Sequence, residues 1–288
     1  MSYKGIDKIF FGIICALVIG GAIMFTSSSL GILAKNESKF YGVIFNQFVF
    51  GLLGGCVAMF FTIKIPYKFW RTYSLYFFIS SILLTALVFV PHVGFQHGGA
   101  RRWINIFGLS FQPVEFLKIG FILYFAAWLS WVKSKISDWR FSVLPLVVLL
   151  GIIAAVLLKQ PDTKSLILMA STSIVMLFVS GMPWKYILAV LVISLVGFGG
   201  LIMVKPYLLE RVKTFMDPNY DPSGSSYQLQ QSLIAIGSGG VTGRGIGQSI
   251  QKFNYLPEPQ GDSIFAVIGE YKNSTISQSH KGTLSLLS

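Results

Sequence analysis

The chain has 288 residues, 53% of them hydrophobic and only 12% charged, with a net charge of +12 and a mean hydropathy of +0.67. A soluble domain usually carries about 25% charged residues; surface this apolar excludes an ordinary water-soluble fold and implies a multi-span α-helical membrane protein. The positive charge lies in short loops between apolar runs, which fits topology and anionic headgroups and argues against a nucleic-acid partner.

The N-terminus, MSYKGIDK, enters an apolar run with no small-residue cleavage site after it, so it reads as a first span and not a removed signal peptide. Apolar runs long enough to cross the hydrocarbon lie near 9–33, 41–63, 72–90, 113–132, 141–158, 165–182 and 186–204, seven complete spans. If the spans alternate, Lys4, Lys8, Lys64, Lys68, Arg71, Lys133, Lys135, Arg140 and Lys185 fall on one side. Lys35, Lys39, Arg101, Arg102, Lys159 and Lys164 fall on the other, and the excess predicts a cytoplasmic N-terminus. Cys15 and Cys56 sit inside apolar runs, so no disulfide framework is implied. His92, His97 and His280 lack metal-ligand spacing.

Two outer connections differ from the rest. Residues 91–112 are semi-polar and interfacial in character. Residues 205–262 contain no spanning segment, and loops of that length are usually functional. Within the second, Gln231–Ile236 is too short to span, which predicts an interfacial or re-entrant helix ended by the glycines that follow. SIFAVIGE (263–270) begins an eighth span, but the polar YKNSTISQSHKGTLSLLS follows, and eight residues cannot cross a bilayer. The expected organisation is a membrane domain over 1–270, with its outer loop at 205–262, and a divergent polar tail over 271–288. A frameshift or a truncated gene is the expected origin of that tail.

Several residues have the chemistry of a site. Arg101 and Arg102 stand beside Trp103; their forked donors suit a phosphate or pyrophosphate, or they snorkel to headgroups. Glu115 and Lys118, three apart at a span start, share a helix face and can neutralise each other, as a structural pair or in support of a site. Asp162 in Gln160-Pro161-Asp162 either caps the next helix or holds a basic residue of the active surface. The glycine-rich run 237–247 has no phosphate-loop lysine pattern and no preceding strand, so its glycines permit tight turns and close approach. Asp262, where the polar loop turns apolar, is the strongest candidate for catalysis. Desolvation there would make it a better base, and it can also cap the eighth helix.

Laid out in order, GARRWI (99–104), FQPVEFLK (111–118), QPD (160–162) and the long motif at 227–270 resemble the SEDS family of shape, elongation, division and sporulation proteins, which includes FtsW, RodA and SpoVE. The resemblance spans residues 5–270 and leans toward FtsW. Val114, Thr163-Lys164 and Gln260-Gly261 depart from the family pattern. The resemblance implies an all-α polytopic membrane bundle that has ten spans in the family, against seven and a broken eighth here. It implies a peptidoglycan glycosyltransferase on the outer face of the bacterial cytoplasmic membrane, polymerising lipid II during division or cell-shape control. Asp262 would be the general base, and Arg101, Arg102, Lys118 and Lys252 would bind the pyrophosphate. Glu115, Asp162, Gln228, Gln231 and Glu258 would support them. The implied partners are lipid II, the undecaprenyl-pyrophosphate-linked glycan, a class B penicillin-binding transpeptidase, divisome proteins and membrane lipids. A divalent cation, Mg2+ or Mn2+, is compatible with this chemistry, and the sequence names no ligand for it. Lipid II flipping, which needs a polar path through the bundle, and an inactive remnant are the alternative readings.

Overall fold

A computed structural model describes residues 7–271, apart from 92, 98–99, 107–108, 218, 222–223, 225, 240–248, 250 and 258. The chain divides into two compact units, Met1–Phe60 with Lys205–Ser288, and Phe61–Val204.

The contiguous unit begins with α4 (Tyr67–Ala86), prolonged by a 3-10 turn at Leu87–Phe89. A small antiparallel sheet follows, β1 (Gly94–His97), β2 (Ala100–Ile106) and β3 (Leu109–Phe111), in the order β1-β2-β3. Then come α5 (Val114–Trp131), α6 (Trp139–Leu157), α7 (Thr163–Val179) and α8 (Trp184–Val204). Helix α5 is central. Val114, Leu117, Phe121, Phe125 and Leu129 recur every three or four residues along one stripe and are buried with Phe78, Leu146, Ile153, Leu157, Met169 and Leu177. Phe78 stacks on Tyr124 at 5.4 Å with the rings 4° from parallel. Ser81, Thr85 and Ser173 sit buried among these apolar groups because each hydroxyl donates to a carbonyl of its own helix at 2.6–2.7 Å.

The other unit is built from α1 (Lys8–Leu33) and a second long helix over Glu37–Lys64, made of α2 (Glu37–Phe45), a π-helical segment (Asn46–Leu53) and α3 (Gly54–Lys64), of which the residues up to Phe60 belong to this unit. Helices α9 (Pro206–Met216), α10 (Tyr227–Gly239), α11 (Gln251–Asn254) and α12 (Ile264–Tyr271) join them. Asp7 caps α1 by accepting from the amides of Ile9 and Phe10, and Asn36 caps α2 by accepting from Lys39. A second apolar cluster joins Ala235, Leu256, Ala266 and Val267, with Met24 of α1 against it. Gly239 of α10 lies so close to α12 that a Cβ there would meet the Gly269 carbonyl at 2.4 Å.

Large apolar side chains cover the outside: Ile9, Val179, Val196 and Met203 are all at least 70% exposed. Helices that present such faces around polar-satisfied backbones belong in lipid. All seven expected spans are helices, and six are long and apolar enough to cross a membrane. The exception, α7, has 17 residues, about 26 Å at 1.5 Å per residue against roughly 30 Å of hydrocarbon. The short helix foreseen around 231–236 is α10 and ends at Gly239. The sheet at 94–111 and helix α9 were not foreseen.

Candidate active site

Asp262 lies in the turn 259–263 directly ahead of α12, with its side chain exposed. The desolvation expected of it is therefore not supplied by the protein's own packing. The capping position falls to Ser263, whose carbonyl accepts from the amides of Ala266 and Val267, as a residue opening a helix does. Ser263 Oγ donates to the Pro257 carbonyl at 3.3 Å and accepts from Gln228 Nε2 at 3.2 Å. Gln228 thus ties α10 to the residue next to Asp262. Gln231, one turn further along α10, is half-buried, and Glu258 lies outside the described residues.

Lys252, expected to face a pyrophosphate, is only 2% exposed. Its ammonium donates to the Ser27 carbonyl of α1 at 3.4 Å and stands 5.0 Å from the Phe253 ring centre. Its backbone carbonyl lies against Gly31, where a Cβ would approach to 2.1 Å, so only glycine admits this crossing of α11 over α1. Burial pushes the Lys252 ammonium below the usual lysine pKa, and the nearby Glu270 carboxylate opposes that shift. Glu270 is fully buried and accepts from Ser249 Oγ at 2.5 Å, and Ser249 Oγ in turn accepts from the Lys252 amide at 3.2 Å. Sequence reasoning missed Ser27, Ser249 and Glu270 as members of this cluster. The available signal was a carboxylate in the apolar run 264–270 and three consecutive serines inside the first span, since polar groups at such places need partners.

In the contiguous unit the adjacent arginines divide their roles. The β1–β2 pairing skips Arg102, which is the extra residue of a bulge, and bulges re-aim side chains. Arg102 Nε donates to the Gln160 carbonyl at 3.1 Å and Nη2 donates to the Pro161 carbonyl. Gln160 Nε2 donates onward to the Thr85 carbonyl at 2.8 Å. Arg101, by contrast, is exposed. Asp162 is buried and caps α7, with Oδ2 accepting from Ser165 Oγ at 2.7 Å and Oδ1 accepting from the Ser165 amide at 3.4 Å. The basic residue held beside this turn is held by its carbonyls, while the Asp162 carboxylate serves the helix end. Lys118 donates to Glu115 at 2.8 Å across one helical turn, with side chains 22% and 55% exposed. Among the described residues no three His, Cys, Asp or Glu side chains are grouped to hold a metal ion.

Apolar helices of membrane-crossing length, joined by polar segments, define a multi-pass membrane protein. Residues 7–272 match the cell cycle protein family FtsW/RodA/SpoVE, and the chain belongs to that family. It is 37% identical over 254 residues to stage V sporulation protein E of Bacillus subtilis (strain 168), covering 88% of this chain and 69% of that one. It is 34% identical over 267 residues to a probable peptidoglycan glycosyltransferase FtsW of Geobacter sp. (strain M18), covering 93% and 72%. Its fold is similar, at a TM-score of 0.64 and 26% identity, to a solved chain of a peptidoglycan synthase complex that coordinates polymerization and crosslinking, covering 94% and 75%.

Proposed function

We propose that this chain is a peptidoglycan glycosyltransferase that polymerises lipid II, with Asp262 as its general base. The observation that carries the reading is an exposed carboxylate on a turn anchored on both sides, in a chain whose relatives are named for this transfer. The GlcNAc 4-hydroxyl of lipid II attacks C1 of the growing strand's MurNAc, its proton passes to the Asp262 carboxylate, and the C1–O bond to undecaprenyl pyrophosphate breaks with inversion. The departing pyrophosphate carries the developing charge. Arg101 is exposed and Lys118 partly exposed, which leaves each accessible for the anion-binding role that the family resemblance implies. Arg102 and Asp162 then act as supports, and the buried Lys252 is withdrawn from the set that touches ligand.

Likeness to a synthase complex supports a transpeptidase partner of the class B penicillin-binding type. The basic-residue bias supports a cytoplasmic N-terminus, with the 205–262 loop on the outer face of the bacterial cytoplasmic membrane. The test is polymerisation of purified lipid II by the reconstituted protein, with glycan products resolved on gels. Asp262→Asn is expected to lower the rate by roughly 100-fold or more, the contribution of a positioned base. Equal rates for the two proteins would refute the assignment.

A further inference from the structure

We propose that Lys252, Ser249 and Glu270 form a buried clasp that positions the turn carrying Asp262, a role that rests on the reading of Asp262 as the base. The two ends of the segment 249–270 meet at one polar joint: Ser249 accepts from the Lys252 amide and donates to Glu270 on α12. The Lys252 side chain reaches α1 at Ser27, and its backbone rests on Gly31. Leu256, between them, is buried in the cluster with Ala235, Ala266 and Val267. The chain from 257 to 263 is thus spanned between fixed points, and Asp262 is carried on it. A cation and an anion buried together add little stability over apolar groups of the same shape, whereas loss of one partner leaves the other uncompensated. The consequence of such a joint is geometry, and Lys252 is a positioning residue that acts through the turn.

The experiment uses the full chain in detergent with Cys15→Ala and Cys56→Ala, and a nitroxide on Gly261→Cys beside Asp262. Lys252→Met, Glu270→Gln and Ser249→Ala are each expected to raise the label's mobility, with helix content and a control label on Ser137→Cys unchanged. The double variant Lys252→Met/Glu270→Gln is expected to be less mobile than the sum of the singles, because it removes both charges together. In lipid II polymerisation Ser249→Ala is expected to lower kcat by roughly 100-fold, the cost of a misplaced reacting group, with KM little changed. Unchanged mobility in folded Lys252→Met and Ser249→Ala, or strictly additive singles, overturns the clasp. If mobility behaves as stated while Asp262→Asn polymerises like the parent, the clasp stands and the reading of Asp262 as base falls.

Discussion

Arg102 places two of its donors on consecutive carbonyls, those of Gln160 and Pro161, and a planar guanidinium is the side chain whose geometry serves both. Lysine keeps the charge but not the fork. Arg102→Lys is expected to destabilise the protein by about 1.5–3 kcal/mol, the range for hydrogen bonds to a charged group, read as a lowered thermal midpoint. Arg101→Lys should leave the midpoint close to that of the parent, since Arg101 is exposed. Lys252 gives a pH dependence with a definite sign. Its pKa in the folded protein is lowered, so the unfolded chain binds more protons between that lowered value and the ordinary lysine value. Stability is therefore expected to rise with pH across that window, and Lys252→Met should flatten the rise in unfolding experiments at alkaline pH. The Glu115–Lys118 pair promises little in comparison: with Glu115 more than half exposed, its contribution is below about 1 kcal/mol.

Among the elements, the crossing of α10 and α12 is set by two glycines. A methyl group at Gly239 would press on the Gly269 carbonyl, and a backbone atom cannot swing aside as a side chain can. Gly239→Ala is expected to cost roughly 1–3 kcal/mol as an overpacked contact, and to disturb the Asp262 turn through Gln228, which bridges α10 to Ser263. Thermal unfolding and the mobility of the 261 label would report the two effects separately. The long helices were legible because apolar runs near 20 residues have one stable outcome in lipid. The strands were not: β1 and β3 have four and three residues, and the apolar-polar alternation that marks a strand hardly develops over that length. Helix α9 was hidden for another reason. Its charged residues Glu210, Arg211 and Lys213 interrupt the apolar ones, and it was read as part of a loop.

For the whole molecule, the sequence made the acid and the polar turns recognisable but not their depth. Asp262 and Arg101 are exposed, whereas Lys252, three residues past Ser249, is buried. Nothing local distinguishes those cases. What buries Lys252 is Ser27 and Gly31, contacts from more than two hundred positions upstream. That separation bears on how the protein is made. The unit holding Asp262 is discontinuous, and its first part, Met1–Phe60, is synthesised before Phe61–Val204 and completed only by residues after Lys205. At roughly 5–20 residues per second, the intervening stretch takes on the order of ten seconds to emerge from the ribosome. During that interval Ser27 of α1 has yet to meet Lys252, which donates to its carbonyl in the finished fold. Thr26 and Ser29 bridge the delay by donating to the carbonyls of Ala22 and Phe25 within their own helix. The nascent first helix can therefore wait in the bilayer with these hydroxyls already satisfied.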